Sequence, residues 1–223
     1  MLSIVIPTLD AAVGLPATLA TLGAAELHTE IVVADGGSAD ATADLAAASG
    51  ARVIPSPPGR GGQLAAGAEA SVGAWLLFLH ADTRPGPGWS TVVQRFMAEP
   101  DNIYRAAYFQ FALDDPAPAA RRLQRVVDWR CRTLGLPYGD QGLLISRTFY
   151  DHLGGFRPIP LMEDVDMVRR IGKRRLVPLA AQAVTSAERY RRDGYLLRPA
   201  LNLLCLGLYL LGAPLSMIQG IYK

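Results

Sequence analysis

The chain has 223 residues, a net charge of +2, 50% hydrophobic residues and 19% charged residues. That is too apolar and too weakly charged for a disordered chain, and the near-neutral balance argues against a general polyanion binder such as a nucleic-acid coat. The two cysteines, Cys131 and Cys205, fit no zinc-knuckle or Cys-x-x-Cys spacing and no disulfide framework, so a reducing compartment is expected.

Leu2–Ile6 follows Met1 directly, without a basic leader, and reads as a short buried strand rather than a signal peptide. Residues 10–22 are rich in Ala and Leu and predict a helix, entered near Pro16 or slightly before. Glu30–Ala34 is a second buried strand, ending at Asp35-Gly36-Gly37-Ser38, and a helix over 40–49 follows with Ser38 or Asp40 as its N-cap. Residues 51–54 form a third strand, 55–62 a Pro/Gly loop, 63–72 a helix and 74–79 a fourth strand, ended by His80-Ala81-Asp82. This alternation predicts right-handed crossovers and a parallel sheet covered on both faces, with ligands at the carboxyl ends of its strands. Asp10, Asp35 and Asp82 each fall just past a predicted strand end.

The second half is less regular. Strands are expected over 104–113, 142–146 and 176–179, and helices over 118–134, 147–153 and 163–173; the last opens with Glu163, Asp164 and Asp166, which suits its dipole. Residues 1–100 carry a net charge of −5 and residues 101–223 a net of +7, with only Lys173 and Lys223 as lysines. Each arginine cluster alone reads as a solvated helix face. Together, beside the apolar tail, they suggest a phosphate-bearing or membrane-surface partner. Residues 200–218 hold no charge and reach the length of a membrane span, but Asn202, Gly207, Gly212, Pro214 and Ser216 interrupt them. Two short helices, over 196–211 and 214–221, fit better; they would pack on the domain, lie in a membrane interface or form a dimer contact.

Four motifs carry chemistry. Asp35 before two glycines suits contact with a base or ribose, and equally a helix-capping turn. Gly59-Arg60-Gly61-Gly62-Gln63 lacks P-loop spacing, yet its glycines let backbone N–H groups approach a diphosphate that Arg60 would pair with. His80 and Asp82 alternate along an extended backbone and reach toward one cation, or toward each other. Glu163-Asp164 after a Gly/Pro loop places a general base in a cleft, or two dipole-favoured surface groups.

Their order and spacing resemble the family 2 glycosyltransferases, over about residues 1–180, and the small bacterial branch in which His-Ala-Asp replaces the usual Asp-x-Asp; Tyr138-Gly139-Asp140-Gln141-Gly142 and the 190–222 region also look like that branch. The resemblance implies an α/β GT-A fold, Rossmann-like, with a mostly parallel central sheet flanked by helices. Residues 1–190 would form the transferase domain, with a nucleotide-binding half over 1–100 and an acceptor half over 101–190, and 191–223 an apolar helical tail. It implies a nucleotide-sugar site at Pro7, Thr8, Leu9, Asp10, Asp35, Arg60, Ala81 and Asp82, and a divalent cation, Mn or Mg, on Asp82 with His80. Asp164 would deprotonate the acceptor hydroxyl with Glu163 beside it, and Asp140 and Gln141 would face the acceptor. One sugar would leave a nucleoside diphosphate, UDP favoured, with inversion.

The expected acceptor is lipid-linked or phosphorylated. The expected setting is cytoplasmic or peripheral at the inner face of the cytoplasmic membrane, with no nucleic-acid partner and with residues 196–222 as the membrane or homodimer contact. Imidazole in place of a hard oxygen ligand suits Mn or Zn better than Mg. Ala65 stands where the family often has Asn, and the QxxRW signature of processive synthases is absent, so single-sugar transfer is expected. Trp75, Trp89 and Trp129 read as core groups or as sugar-stacking ones. A sugar-phosphate nucleotidyltransferase would need a basic residue after the first strand, and Leu9–Leu15 has none. A non-catalytic nucleotide- or partner-binding module draws on the His80 substitution, and the retained Asp35, Asp82 and Glu163-Asp164 speak against it.

Overall fold

A computed structural model describes residues 1–222. Four parallel strands build the first half: β1 (Leu2–Thr8), β2 (Thr29–Asp35), β3 (Arg52–Pro55) and β4 (Trp75–Phe78). β1 is buried along its whole length, as a central strand covered on both faces must be. The β1–β2 register pairs Thr8 with Asp35, so both side chains arrive together at the carboxyl edge.

The second half adds β5 (Thr83–Pro85), β6 (Ala106–Leu113), β7 (Leu143–Ser146) and β8 (Leu176–Thr185). The sheet has eight strands in the order β3-β2-β1-β4-β7-β6-β8-β5. Four of its seven pairings are parallel; β4–β7, β6–β7 and β5–β8 are antiparallel, so the sheet is mixed from β4 onward.

Helices α1 (Leu15–Gly23), α2 (Thr42–Ala48), α3 (Arg60–Ala70) and α4 (Trp89–Ala98) belong to the first half. α1 starts at Leu15, at the entry expected near Pro16, because Pro16 suits a first turn, and Asp10 sits at φ +50 ahead of it. Neither Ser38 nor Asp40 is the N-cap of α2. Ala41 holds that position, while Asp40 Oδ1 accepts the Thr42 N–H at 3.0 Å. The loop expected up to Gly62 ends earlier. Gly59 turns the chain at φ +136 and Arg60 already opens α3, where a Cβ on Gly61 would lie 2.2 Å from the Arg157 carbonyl. Glycine is the residue that lets this helix start against the 157–159 segment.

The second half contributes α5 (Pro118–Leu134), α6 (Arg147–His152), α7 (Glu163–Ile171) and α8 (Glu188–Asp193). The tail forms α9 (Leu197–Leu210) and α10 (Leu215–Tyr222), close to the two short helices expected. None of the described helices is long and apolar enough to cross a membrane. The tail packs on the domain: Cys205, Leu206 and Ile218 share one buried cluster with Leu161, Met162 and Val165 at the start of α7. Leu203, Leu204, Leu210 and Leu211 remain exposed on its other side.

Candidate active site

The carboxyl edge of β1 and β2 is tied together by Asp35. Its Oδ1 accepts the hydroxyls of Thr8 at 2.8 Å and Ser38 at 2.6 Å; its Oδ2 accepts the N–H groups of Gly37 at 3.1 Å and Ser38 at 2.9 Å. Burial opposes its charge, but the Ser38 hydroxyl and the other donors outweigh it and hold the carboxyl below its usual range. Those four bonds fill the acceptor positions of a carboxylate. Asp10 adds a second tie: its N–H donates to Ser38 Oγ at 2.9 Å and its Oδ1 accepts the Ala39 N–H at 2.8 Å. Gln63 on α3 donates to the carbonyls of Thr8 at 2.7 Å and Ala34 at 2.9 Å, clamping both strands from below.

Above this edge lies a cleft of about 550 Å³, the size of a small ligand. Pro7, Thr8, Leu9, Asp10, Arg60, Ala81 and Asp82 all line it; Asp35 stands behind the wall.

His80, Asp82 and Arg60 also line a second, smaller cavity, so they form the joint between the two. His80 is wedged against Gly139, where a Cβ would come within 2.4 Å of its Nε2. Burial and the Arg60 charge bring the imidazole down to about 4 against the pull of Asp82 and Asp164, so its neutral form prevails near neutrality. Arg60 Nε lies 3.4 Å from Glu163 Oε1. Burial works against its charge, yet Glu163, Tyr222 and Asp164 outweigh it and the guanidinium is held as a cation. Tyr222, at the end of α10, lies near Arg60 and under the Arg198 guanidinium, which is 4.6 Å from the tyrosine ring centroid.

The second cavity opens at the N-terminus of α7. Met162 takes a left-handed conformation, φ +65, to start this helix and turn its first residues inward. Glu163 is 2% exposed, and burial, with Asp164 adding to it against Arg60, pushes its carboxyl up to about 7. Asp164 accepts the Gly139 N–H on Oδ2 at 2.8 Å and the Val165 N–H on Oδ1 at 2.7 Å. Asp140 lies on the same wall, and burial, with Asp164 and Asp82 nearby, raises its carboxyl to about 6 against Arg130. Asp166, the third acid of the α7 run, points elsewhere and pairs with Arg157 at 2.9 Å and Arg170 at 2.6 Å.

Gln141 does not reach the cavity. It is 1% exposed, its Oε1 accepts from Arg130 at 3.2 Å, and its Nε2 donates to the Phe109 carbonyl at 3.1 Å, which fixes the 138–142 turn under the acids. Trp75 and Trp89 are core groups; Trp129 is exposed on α5 and lines neither cavity.

The tail supplies walls that the sequence did not point to. Arg189 and Tyr222 line both cavities, and Tyr190, Arg198 and Asn202 line the smaller one. The Arg189–Arg192 cluster was a visible signal without a location, Asn202 stood out only as a break in an apolar run, and Tyr222 only as the end of the 190–222 region that resembles the small bacterial branch.

Among the described residues, no group of three or more His, Cys, Asp or Glu side chains gathers tightly enough to enclose a metal ion. Asp82 is partly exposed at the joint, with a neutral His80 beside it. That donor set fits an ion held by one or two protein groups and completed by substrate phosphates and water.

Residues 3–153 match the profile of the family described as "Glycosyl transferase family 2". Among solved structures, glucosyl-3-phosphoglycerate synthase from Mycobacterium tuberculosis with phosphoglyceric acid is 19% identical over 83% of this chain and 70% of that one, with a TM-score of 0.57. The same enzyme with Mn2+, uridine diphosphate and glucosyl-3-phosphoglycerate is 18% identical, with a TM-score of 0.60 over 96% of this chain and 81% of that one. TarS from S. aureus has a TM-score of 0.64 at 14% identity, over 93% of this chain and 39% of that one. No individually curated protein matches the chain in sequence.

Proposed function

The chain belongs to glycosyl transferase family 2, and on that premise we propose that it transfers a single sugar, with inversion, from a nucleoside-diphosphate sugar to an acceptor hydroxyl. The observation that carries the reading is the joint. Arg60, His80 and Asp82 separate a nucleotide-sized cleft from a buried pocket of carboxyl groups and line both. A donor laid in the cleft would bring its diphosphate to Asp82 and its sugar toward Asp164.

Asp164 is the general base. The Gly139 and Val165 N–H groups fix its carboxylate, and each oxygen keeps a second lone pair for the acceptor proton. The acceptor oxygen attacks the anomeric carbon as the bond from that carbon to the diphosphate oxygen breaks. Glu163 holds Arg60 at the joint, and Arg189, reaching both cavities, faces the charge that develops on the leaving diphosphate. Asp82, with His80, would hold a divalent cation, which when bound would neutralise the diphosphate. Thr8, Leu9, Asp10 and Pro7 bound the nucleoside, with Asp35 ordering them from behind.

M. tuberculosis glucosyl-3-phosphoglycerate synthase has been seen with Mn2+ and uridine-diphosphate-glucose, which supports UDP and Mn as the first pair to try here. The exposed leucines of α9 and the neighbouring arginines support a peripheral membrane contact; co-sedimentation with anionic vesicles, lost in a Leu203→Ser/Leu204→Ser double variant, would test it.

The decisive experiment is calorimetric titration with UDP, GDP, CDP and dTDP, each with and without Mn2+. One diphosphate should bind in a metal-dependent way, and Asp82→Ala should weaken it at least about tenfold, worth 1.4 kcal/mol. A folded protein that binds none of the four is not a nucleotide-sugar transferase of this kind.

A further inference from the structure

Three buried side-chain oxygens have no hydrogen-bond partner among the described residues: Asp140 Oδ1, Glu163 Oε2 and Asn202 Oδ1. All three residues line the same cavity, the smaller one beside Asp164. A buried polar atom without a partner costs about 1–3 kcal/mol, and native interiors leave few of them. Three in one cavity, brought by the turn before β7, by α7 and by α9, are not a local packing accident. They come from segments far apart in sequence that converge only here.

Asn202 Oδ1 and an ionised Asp140 accept, while Glu163 Oε2, with its partner oxygen facing Arg60, carries a proton for part of the time near neutrality, so a ligand that satisfies all three must donate and also accept. A phosphate or carboxylate group brings no donor when ionised, and it would meet Asp140 and Asp164 as like charges. The arginines nearby do not reverse this. Arg60 is paired with Glu163, Arg198 lies 3.6 Å from Asp193 and stacks on Tyr222, and Arg189 sits where the two cavities meet, on the diphosphate side. Hydroxyl groups fit. Each donates one hydrogen bond and keeps lone pairs for Arg198 or the tyrosine hydroxyls. Neighbouring hydroxyls on one small ring would reach several of these oxygens at once.

We propose that this cavity binds an uncharged polyhydroxylated acceptor, a sugar or sugar alcohol, through Asp140 Oδ1, Glu163 Oε2 and Asn202 Oδ1, and that the C-terminal helix α9 contributes to acceptor choice through Asn202. The proposal rests on the transferase reading for the word acceptor, but the cavity's preference for hydroxyl groups, which donate and accept, stands on the three oxygens alone. It replaces the phosphorylated acceptor expected from the arginine clusters with a neutral one at the reacting end.

The test is saturation-transfer NMR on the full chain, free and loaded with UDP and Mn2+, against glucose, galactose, mannose, myo-inositol and glucitol, with 3-phosphoglycerate as the anionic probe. At least one neutral polyol should show transfer that the others compete away, and 3-phosphoglycerate should not displace it. Asn202→Leu keeps the branched outline of the side chain and removes the orphaned oxygen. It should melt no lower than the parent, because an unsatisfied group has gone, and should weaken polyol binding about tenfold.

Asn202→Asp keeps the acceptor atoms and should retain binding. Displacement of the polyol by 3-phosphoglycerate, no polyol signal from either form, or unchanged affinity in Asn202→Leu would overturn the proposal. Failure of UDP to bind would sink the transferase reading instead, and the nucleotide-free arm would still decide the cavity.

Discussion

The two sides of the joint are built on opposite principles. On the proposed nucleotide side Asp35 is satisfied by the protein itself: it takes four hydrogen bonds from Thr8, Gly37 and Ser38, and its carboxyl is held below the ordinary range. On the proposed acceptor side, Glu163 and Asp140 are pushed upward by burial and each keeps an oxygen without a partner among the described residues. A cleft that is complete before its ligand arrives spends little on ordering itself. A pocket left short of donors keeps a strong preference for what enters. The first arrangement favours affinity, the second discrimination, because a mismatched guest leaves buried polar atoms unpaired.

The sharpest way to break this division is at the base. Asp164→Asn should lower turnover by about 10²–10⁴-fold, the range for removal of a positioned general base, while UDP affinity by calorimetry stays at the parental value. Equal loss of both would mean that Asp164 belongs to the shared frame rather than to the acceptor side. Next in size is Gly139→Ala. Its Cβ would press on His80 Nε2 from 2.4 Å, and the imidazole must move. A displacement of about 1 Å at a reacting centre can cost about 10²-fold, so turnover should fall to that extent, with metal-dependent UDP binding reduced as well. A variant that affects only one cavity would show that His80 is not the joint.

Much of the first half was legible in the sequence, and the reason is physical. Parallel strands buried on both faces read as unbroken apolar runs, and their ends are marked by Pro7, Asp35 and His80. β8 was seen only over its first four residues. Its inward positions beyond Leu179 are Ala181, Ala183 and Thr185, too small to give a hydropathy alternation. β5 is three residues long and ends in Pro85, below any pattern threshold. α4 does carry a signal in the sequence, with Trp89, Val93 and Phe96 on one face. Of the site, the acidic residues were found because carboxyl groups at strand ends and helix starts are conspicuous. Arg198, Asn202 and Tyr222 were not, since only the docking of α9 and α10 on α7 brings them to the acids, and that docking is made by generic apolar contacts.

A smaller effect separates two readings of Asp35. Asp35→Asn replaces an acceptor by an amide that faces donors, leaving hydroxyl or N–H groups unsatisfied at a cost of about 1–3 kcal/mol. For a chain of this size that lowers Tm by roughly 2–4 °C per kcal/mol. If Asp35 orders the cleft from behind, UDP affinity should follow the modest loss of stability. A fall in UDP affinity well beyond it, with little change in Tm, would show that the base displaces one of the present partners and reads Asp35 directly.

The smallest effect is in the pH dependence of stability, and its sign distinguishes the two sides. Glu163 has its folded pKa raised from 4.5 to about 7, so the folded state holds more protons than the unfolded one over that interval. Its contribution is complete below the unfolded value and is lost as pH rises through about 7. Asp140, raised from 3.8 to about 6, acts in the same direction lower down. His80 acts oppositely: lowered from 6.5 to about 4, it stabilises above 6.5 and loses that contribution as pH falls.

Below pH 6.5 the slopes oppose one another, and from 6.5 to about 7 Glu163 is left nearly alone. Tm should therefore decline as pH rises through neutrality, and Glu163→Gln should flatten that decline. Under acid, the same variant should lose stability more steeply than the parent, because the His80 slope is no longer offset by Glu163. The level of Tm in this variant also reflects the loss of Glu163's charge beside Arg60, so the slope is the quantity to compare. A parental decline that survives in Glu163→Gln would place the raised carboxyl elsewhere in the pocket and remove Glu163 from the set of groups held unsatisfied for the acceptor.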